Sequence, residues 1–369
     1  MNGRICGRRS RKLLHSNQLR LFAAIAVRQK GQIFEMSESI AVTKAHVDSF
    51  EGFHKAVYGS HVDVVQLQRG KLRGTLTHIG IGGFSLSIGS FSHGIRAQRI
   101  ASDNHLIVGM LLSAAAAVTH WSYDMNPGDV LVIPPGVEHD GRFFGGSSYA
   151  AMRFDPADIA STFEGDSRLS DPATWMEKNR FRANPRTGAE SIRRLNRIIE
   201  GLLVESSSCS PRVTDFWRRS MVDAFATSVM HALPPDDPGW VPSAGRLVRD
   251  VEAYIAAGHE GPVHISEICA QFGVSRRSLY RAFDEVLGMG PVTFLRQKRL
   301  CAVHSVLQKS DPRRTTVTQV AMTQGFIELG RFAYYYHMLF GERPSETLGA
   351  RPVKRSLAAA RHYELPANP

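Results

Sequence analysis

The stretch ISEICAQFGVSRRSLYRAFDEVLG, residues 265–288, holds two helical patterns separated by a break. Ile265, Ile268, Cys269 and Phe272 recur at i, i+3, i+4 and i+7, the spacing of one buried helix face. Gly273-Val274-Ser275 interrupts the pattern, and Leu279, Phe283, Val286 and Leu287 resume it as a second apolar stripe. Two short helices joined by a glycine turn form a helix-turn-helix, and Ser275 suits the N-cap of the second. Arg276, Arg277, Tyr280, Arg281 and Asp284 share the face opposite the stripe. An apolar back with long donors in front lets a helix lie in a groove of DNA and reach phosphates and base edges. A solvated charged face could carry the same residues, and a second copy of the motif separates the two readings.

That second copy is present. VTQVAMTQGFIELGRFAYYYHMLFG, residues 317–341, again runs short helix, glycine turn at Gly325, and longer helix, with Phe332, Tyr336 and Leu339 inward. Arg331, Tyr334, Tyr335 and Met338 share its outer face, and Glu328 stands near its start, where an acid either stabilises the helix N-terminus or accepts from cytosine N4. Both copies end alike, in Gly288-Met289-Gly290-Pro291 and Gly341-Glu342-Arg343-Pro344, 53 residues apart. Glycine suits the residue past a helix end and proline the first turn of the next helix. Between the copies, residues 291–310 are periodic through Val292, Leu295, Leu300, Val303, Val306 and Leu307. That predicts a rod of about 30 Å, close to the roughly 34 Å between successive major-groove faces of B-DNA.

Toward the N-terminus, PPDDPGWVPSAG (234–245) reads as a linker. Before it, Ile192, Leu195, Ile198, Ile199, Leu202 and Leu203 mark one amphipathic helix. Val213, Phe216, Trp217, Val222, Phe225, Val229 and Met230 mark another, begun by Pro211. Such a pair closes a core or offers a dimer surface. From Val62 to Phe154, VDVVQLQ, GTLTHIGIG, FSLSIGSF, GIRAQRI, HLIVGMLL, VTHWSYDM, DVLVIPP and SSYAAMRF are strands at the spacing of an antiparallel barrel or sandwich. Asn126–His139 supplies a turn, a buried strand and a Pro-Gly turn ending in Glu138-His139, and it resembles the second conserved segment of the cupin barrel.

The repeated motif, with GVSRRSLYRAF, the linking helix and LGRFAYYYHMLFGERPSETL, resembles the DNA-binding domain of the AraC/XylS family of bacterial transcription regulators over about Arg246–Leu348. The resemblance implies an α+β chain of two domains. An N-terminal cupin-like antiparallel β-barrel with following helices senses an effector and dimerises. A C-terminal all-α domain carries two helix-turn-helix motifs joined by a linking helix. The expected divisions are a basic leader (1–35), the sensing domain (36–233), the linker (234–245), the DNA-binding domain (246–349) and a tail (350–369). By the resemblance, base-contacting positions fall on Arg277, Tyr280 and Arg281 in the first copy, beside Ser275 and Arg276. In the second they fall near Gly330, Arg331 and Tyr334, beside Glu328. The second copy departs from a strongly polar recognition helix, because Leu329, Gly330 and the tyrosine run give few base-edge donors. The implied partners are double-stranded promoter DNA, a small-molecule effector, RNA polymerase and a second copy of the chain. An activator acting in the cytoplasm, with no cofactor and no enzymatic activity, is expected.

Composition sharpens these expectations. The chain has 369 residues, 45 Lys plus Arg against 34 Asp plus Glu, and a net charge of +11. Residues 1–30 contribute +8, residues 31–240 contribute −3 and residues 241–369 contribute +6. A basic, sequence-indifferent nucleic-acid binder driven by the leader would need the first of these; a start at Met36 would leave +4. No apolar run reaches the roughly 18 residues of a membrane span. Cys6, Cys209, Cys269 and Cys301 lack CxxC spacing, which suits a reducing compartment better than a disulfide scaffold. Glu138 and His139 raise the alternative of a metal-dependent cupin enzyme fused to a DNA-binding domain, but no His-x-His precedes them and His93 and His105 stand alone. Trp121, Tyr123, Phe143 and Phe144 read as core or as the lining of an effector pocket.

Overall fold

A computed structural model describes residues 40–349, apart from 82–83, 100–103, 122, 164–167, 177–178, 205–209, 234–242 and 258–262. The leader, most of the Pro-rich linker and the tail lie outside the described residues. The first half forms two antiparallel sheets. One runs in the order β1 (Ile40–Val47), β3 (Gly74–Ile81), β4 (Phe84–Phe91), β11 (Ser147–Phe154), β6 (Leu106–Ala114), β9 (Val130–Ile133) and β12 (Arg180–Phe181). The other runs β2 (Val62–Gln66), β5 (Ile95–Arg99), β10 (His139–Phe143), β7 (Val118–His120) and β8 (Tyr123–Asp124). The strands therefore form two sheets and not one closed barrel, because no ladder joins the edges of one sheet to those of the other among the described residues.

Leu76, Ile107, Leu111, Leu131 and Ala151 of the larger sheet share a core with Val62, Val64, Ile95, Val118 and Phe143 of the smaller. The turn-strand-turn segment works as its residues require: Gly128 and Gly136 take φ of 94° and 73°, and β9 between them is buried throughout. Each of the eight expected strand segments contains a strand. β1 and β10 carried no alternating apolar signal. β1 buries only its two ends, and β10, HDGRF, buries Asp140 and Arg142.

Two helices, α1 (Pro185–Val204) and α2 (Pro211–Met230), cover the outer face of the seven-stranded sheet. Leu195, Ile198, Leu202, Met221, Val222, Phe225 and Val229 join Leu86, Val108, Val132 and Met152 in a second core. A Cβ on Gly201 would stand 2.6 Å from the Trp217 ring, so glycine lets α1 and α2 approach there. The expected inward face of α2 is partly wrong, since Phe216 is 61% exposed and Met230 is also exposed, as is Leu203 on α1.

The C-terminal part is helical: α3 (Ser243–Ala256), α4 (Ile265–Phe272), α5 (Arg276–Leu287), α6 (Pro291–Lys309), α7 (Val317–Thr323), α8 (Leu329–Phe340) and α9 (Pro344–Gly349). The 19-residue α6 spans about 28 Å. Val292 and Val306 were expected in its apolar stripe and are exposed, whereas Phe294, Cys301 and His304 are buried. The reason is position. α6 packs against the other helices on one side and β2 on the other, so its burial does not follow one stripe.

Candidate nucleic-acid interface and a buried cavity

The first helix-turn-helix is built as its residues dictate. Gly273 ends α4 in the left-handed region at φ 61°, and the Ser275 hydroxyl accepts from the Ser278 N–H at 3.1 Å to cap α5. Leu279, Phe283, Val286 and Leu287 face the core. Arg276, Arg277, Tyr280, Arg281 and Asp284 are exposed together, and the Tyr280 ring lies against Gly290 at the turn into α6. α3 packs on the back of α5.

In the second copy, Phe332, Tyr336, Leu339 and Phe340 are buried, and the Tyr336 hydroxyl donates to Thr347 at 2.8 Å. Glu328 takes the N-cap position of α8 without bonding a backbone N–H. Its carboxylate instead holds Arg331, 3.1 Å away. Gly330 and Tyr334 are exposed, while Tyr335 is half-buried beneath the Arg296 guanidinium, 4.0 Å from the ring centroid. All nine sequence-predicted contact residues therefore lie on exposed surface at the starts and outer faces of α5 and α8.

Sequence reasoning missed how tightly the sheet half grips these helices. Arg96 on β5 is buried and bonds Asp140 of β10 at 3.0 Å and Glu252 of α3. Gln66 of β2 donates to the Leu339 carbonyl of α8 at 2.8 Å, and the Gly70 N–H donates to the same oxygen at 3.0 Å. His304 of α6 bonds Glu51 at 2.6 Å, lies 3.4 Å from Glu342, and packs among Phe50, Tyr336 and Phe340. Burial alone would depress the His304 pKa, but the bonds to Glu342 and Glu51 outweigh it and raise the value to about 9. Burial would likewise raise Glu51, and its bond to His304 holds it below the ordinary carboxylate range.

Between the sheets lies a cavity of about 100 Å³. Its wall is apolar, formed by Phe53, Val62, Val64, Ile95, Ile107, Leu131 and Phe143 among others, with His120, His139 and Tyr149 as the polar lining. The Tyr149 hydroxyl donates to the Ala56 carbonyl at 2.9 Å. His120 Nδ1 and His139 Nε2 stand 2.7 Å apart, and burial, then the neighbouring His139, pushes the His120 pKa well down, so it is neutral near pH 7. Trp121, at a left-handed φ of 47°, is held by its indole N–H donating to the Glu138 carbonyl at 2.7 Å and stands edge-on to His139. Of the four aromatic residues expected as core or lining, Phe143 lines the cavity, Trp121 and Tyr123 pack in the adjoining core, and Phe144 lies beside Gly288 at the end of α5. Among the described residues no three His, Cys, Asp or Glu side chains gather as a metal site: Asp140, next to His139, turns to the opposite sheet face and Arg96. No described helix is long and apolar enough to cross a membrane.

Comparison with known proteins bears on the helical part. A family model described as a helix-turn-helix domain matches residues 268–350. Over 113 residues the chain is 38% identical to "XylDLEGF operon transcriptional activator 2" of Pseudomonas putida, covering 31% of this chain and 69% of that protein. The "Probable thc operon regulatory protein" of Rhodococcus erythropolis is 34% identical over 113 residues; the match spans 31% of this chain and 34% of that relative's length. The crystal structure of "a probable AraC family transcriptional regulator" from Rhodopseudomonas palustris shares 42% identity over 28% of this chain and 94% of its own, with a TM-score of 0.26. Together with the repeated, capped helix-turn-helix, the match over two thirds of the Pseudomonas activator establishes that this chain belongs to the AraC/XylS family of transcription regulators.

Proposed function

We propose that the protein is a sequence-specific regulator of transcription whose hold on promoter DNA responds to a small molecule in the sheet cavity. The observation that carries the first half is the exposed Arg276, Arg277, Tyr280 and Arg281 face on a capped helix within a repeated helix-turn-helix. α5 enters one major groove and α8 the next, with α6 as the strut. Arg277, Arg281 and Arg331 offer long donors for base edges and phosphates.

The second half rests on the smaller sheet, whose alternate residues face opposite ways. Val64, Ile95 and His139 face the cavity, whereas Arg96 and Asp140 face the other way and hold α3 through Glu252; Gln66, opposite Ile95 at the end of β2, holds α8. A ligand that moves one face of this single layer moves the other. Apolar cavities of on the order of 150 Å³ take up benzene, so the fitting effector is small and largely apolar, with one hydrogen-bonding group for the His120–His139 pair. Homodimerisation through the exposed Phe216, Leu203 and Met230 of α1 and α2, action in the cytoplasm and a response by RNA polymerase complete the reading.

Sites selected from a random duplex library by the full chain, compared with those selected by Arg281→Ala, test it. The variant is expected to lose about 1–3 kcal/mol on the selected site and to relax its preference at one position. Equal affinity for selected and random duplex at physiological salt would reject sequence specificity in favour of a purely electrostatic binder.

A further inference from the structure

The two helix-turn-helix copies correspond residue by residue, with one exception. Gly273 and Gly325 turn the chain at φ 61° and 75°, and Val274 and Phe326 pack inward after them. Ser275 then caps α5 directly. In the second copy Ile327 intervenes before Glu328, the N-cap of α8. From the caps onward the copies run 53 residues apart, pairing Leu279 with Phe332, Phe283 with Tyr336, Val286 with Leu339 and Gly288 with Gly341. Ile327 is thus a one-residue insertion in the second turn, and it is 89% exposed.

The positions after the insertion change character in the same sense. Leu329 replaces Arg276 and is exposed, and Tyr334 replaces Arg281 and is 60% exposed. Gly330 replaces Arg277, and a Cβ there would meet nothing within 4 Å, so the backbone is open to close approach. Arg331 is engaged by Glu328. Where the first recognition helix presents guanidinium groups, the second presents apolar surface in the same register and at the same helix end.

Resting on the regulator reading, we infer that the second helix-turn-helix recognises thymine by its 5-methyl group, with Ile327 and Leu329 as the contacting side chains and Tyr334 beside them. The thymine methyl is the apolar feature of the major-groove edge. The open Gly330 backbone and the N-terminal end of α8 supply the attraction to phosphate that seats an apolar tip in a charged groove, and Arg331 adds to it by exchanging its solvent-exposed Glu328 partner for phosphate. Readout is thereby divided between the copies: hydrogen bonds from Arg277 and Arg281 in one groove, and methyl contacts in the other.

The test selects binding sites with the full chain from two random duplex libraries, one containing thymidine and one containing deoxyuridine, which pairs identically but lacks the methyl. Preferences relaxed by Arg281→Ala assign the first half-site. The first half-site should be returned from both libraries. Thymine positions of the other half-site should be returned only from the thymidine library, with affinity falling about fourfold per methyl removed. Ile327→Ala, at a position exposed enough that folding is not at stake, should shrink that thymidine-to-deoxyuridine ratio, and Ile327→Val should largely keep it. Equal affinity of the two duplexes would overturn the inference. So would an Ile327→Ala variant that keeps the ratio yet loses promoter activity with RNA polymerase in a reconstituted system, which would assign the tip to the polymerase. Failure to select any site would instead reject the regulator reading beneath it.

Discussion

Replacing His304 by phenylalanine removes a titrating group from the contact between the sheet half and the DNA-binding helices while keeping a ring among Phe50, Tyr336 and Phe340. His304 is buried, and its pKa rises from 6.5 to about 9 through the bonds to Glu342 and Glu51 that overcome burial. A raised histidine pKa means that the charged form stabilises the fold. The contribution is complete below about pH 6.5 and is lost as pH climbs through about 9. At about 1.4 kcal/mol per pH unit, that rise gives roughly 3 kcal/mol for the whole cluster, counted once and shared with the carboxylates. Glu51 and Glu342 are held below the ordinary range, so their contribution runs the other way and fades as pH falls below about 4.5. Burial pushes the Cys301 thiol and the Tyr336 hydroxyl up, and both stay neutral across the interval. Urea denaturation at half-unit steps from pH 5.5 to 9.5, wild type against His304→Phe, measures the difference. The wild type is expected to lose about 3 kcal/mol relative to the variant across pH 6.5–9. Parallel profiles would refute the claim that this cluster is ionised and stabilising in the docked state.

Two further predictions concern the links around the cavity. Arg96→Ala leaves Asp140 and Glu252 without their buried cation and should cost about 3–5 kcal/mol, read as a fall in urea midpoint; a loss under 1 kcal/mol would show that the ion cluster does not hold α3. Ala151→Leu places bulk into the cavity wall. Thermal denaturation with and without benzene should show stabilisation of the wild type and none of the variant, and equal shifts would mean that benzene binds elsewhere.

The helix-turn-helix pair was legible because its information is local. Ile268, Leu279 and Phe283, a glycine turn and a cap lie within two dozen residues and state the fold by periodicity, and the repeat states it twice. Most strands were legible for the same reason; the exceptions are β1, buried only at its ends, the two-residue β12, and β10, which buries Asp140 and Arg142 as ions and so shows no apolar alternation. Burial of α6 departs from the stripe that periodicity predicts, with Val292 and Val306 exposed, because a helix packed on two sides has no single stripe. The contacts that join the halves pair residues far apart in the chain, Arg96 with Glu252 and Glu51 with His304, and no short-range pattern announces them. His120 was missed as the partner of His139 because they meet across paired strands, β7 and β10, nineteen positions apart and outside any familiar metal spacing. The inserted Ile327 was visible in the sequence once the copies are aligned at both the turn and the cap.

α5 and α8 are proposed to occupy successive major grooves of one duplex. Hydroxyl-radical footprinting of the full chain on a selected site tests this arrangement most directly. Two protected patches are expected on one face of the DNA, centred about 10–10.5 base pairs apart for each chain bound, with Arg281→Ala weakening one patch before the other. A single patch per chain, or uniform protection without phase, would contradict the claim.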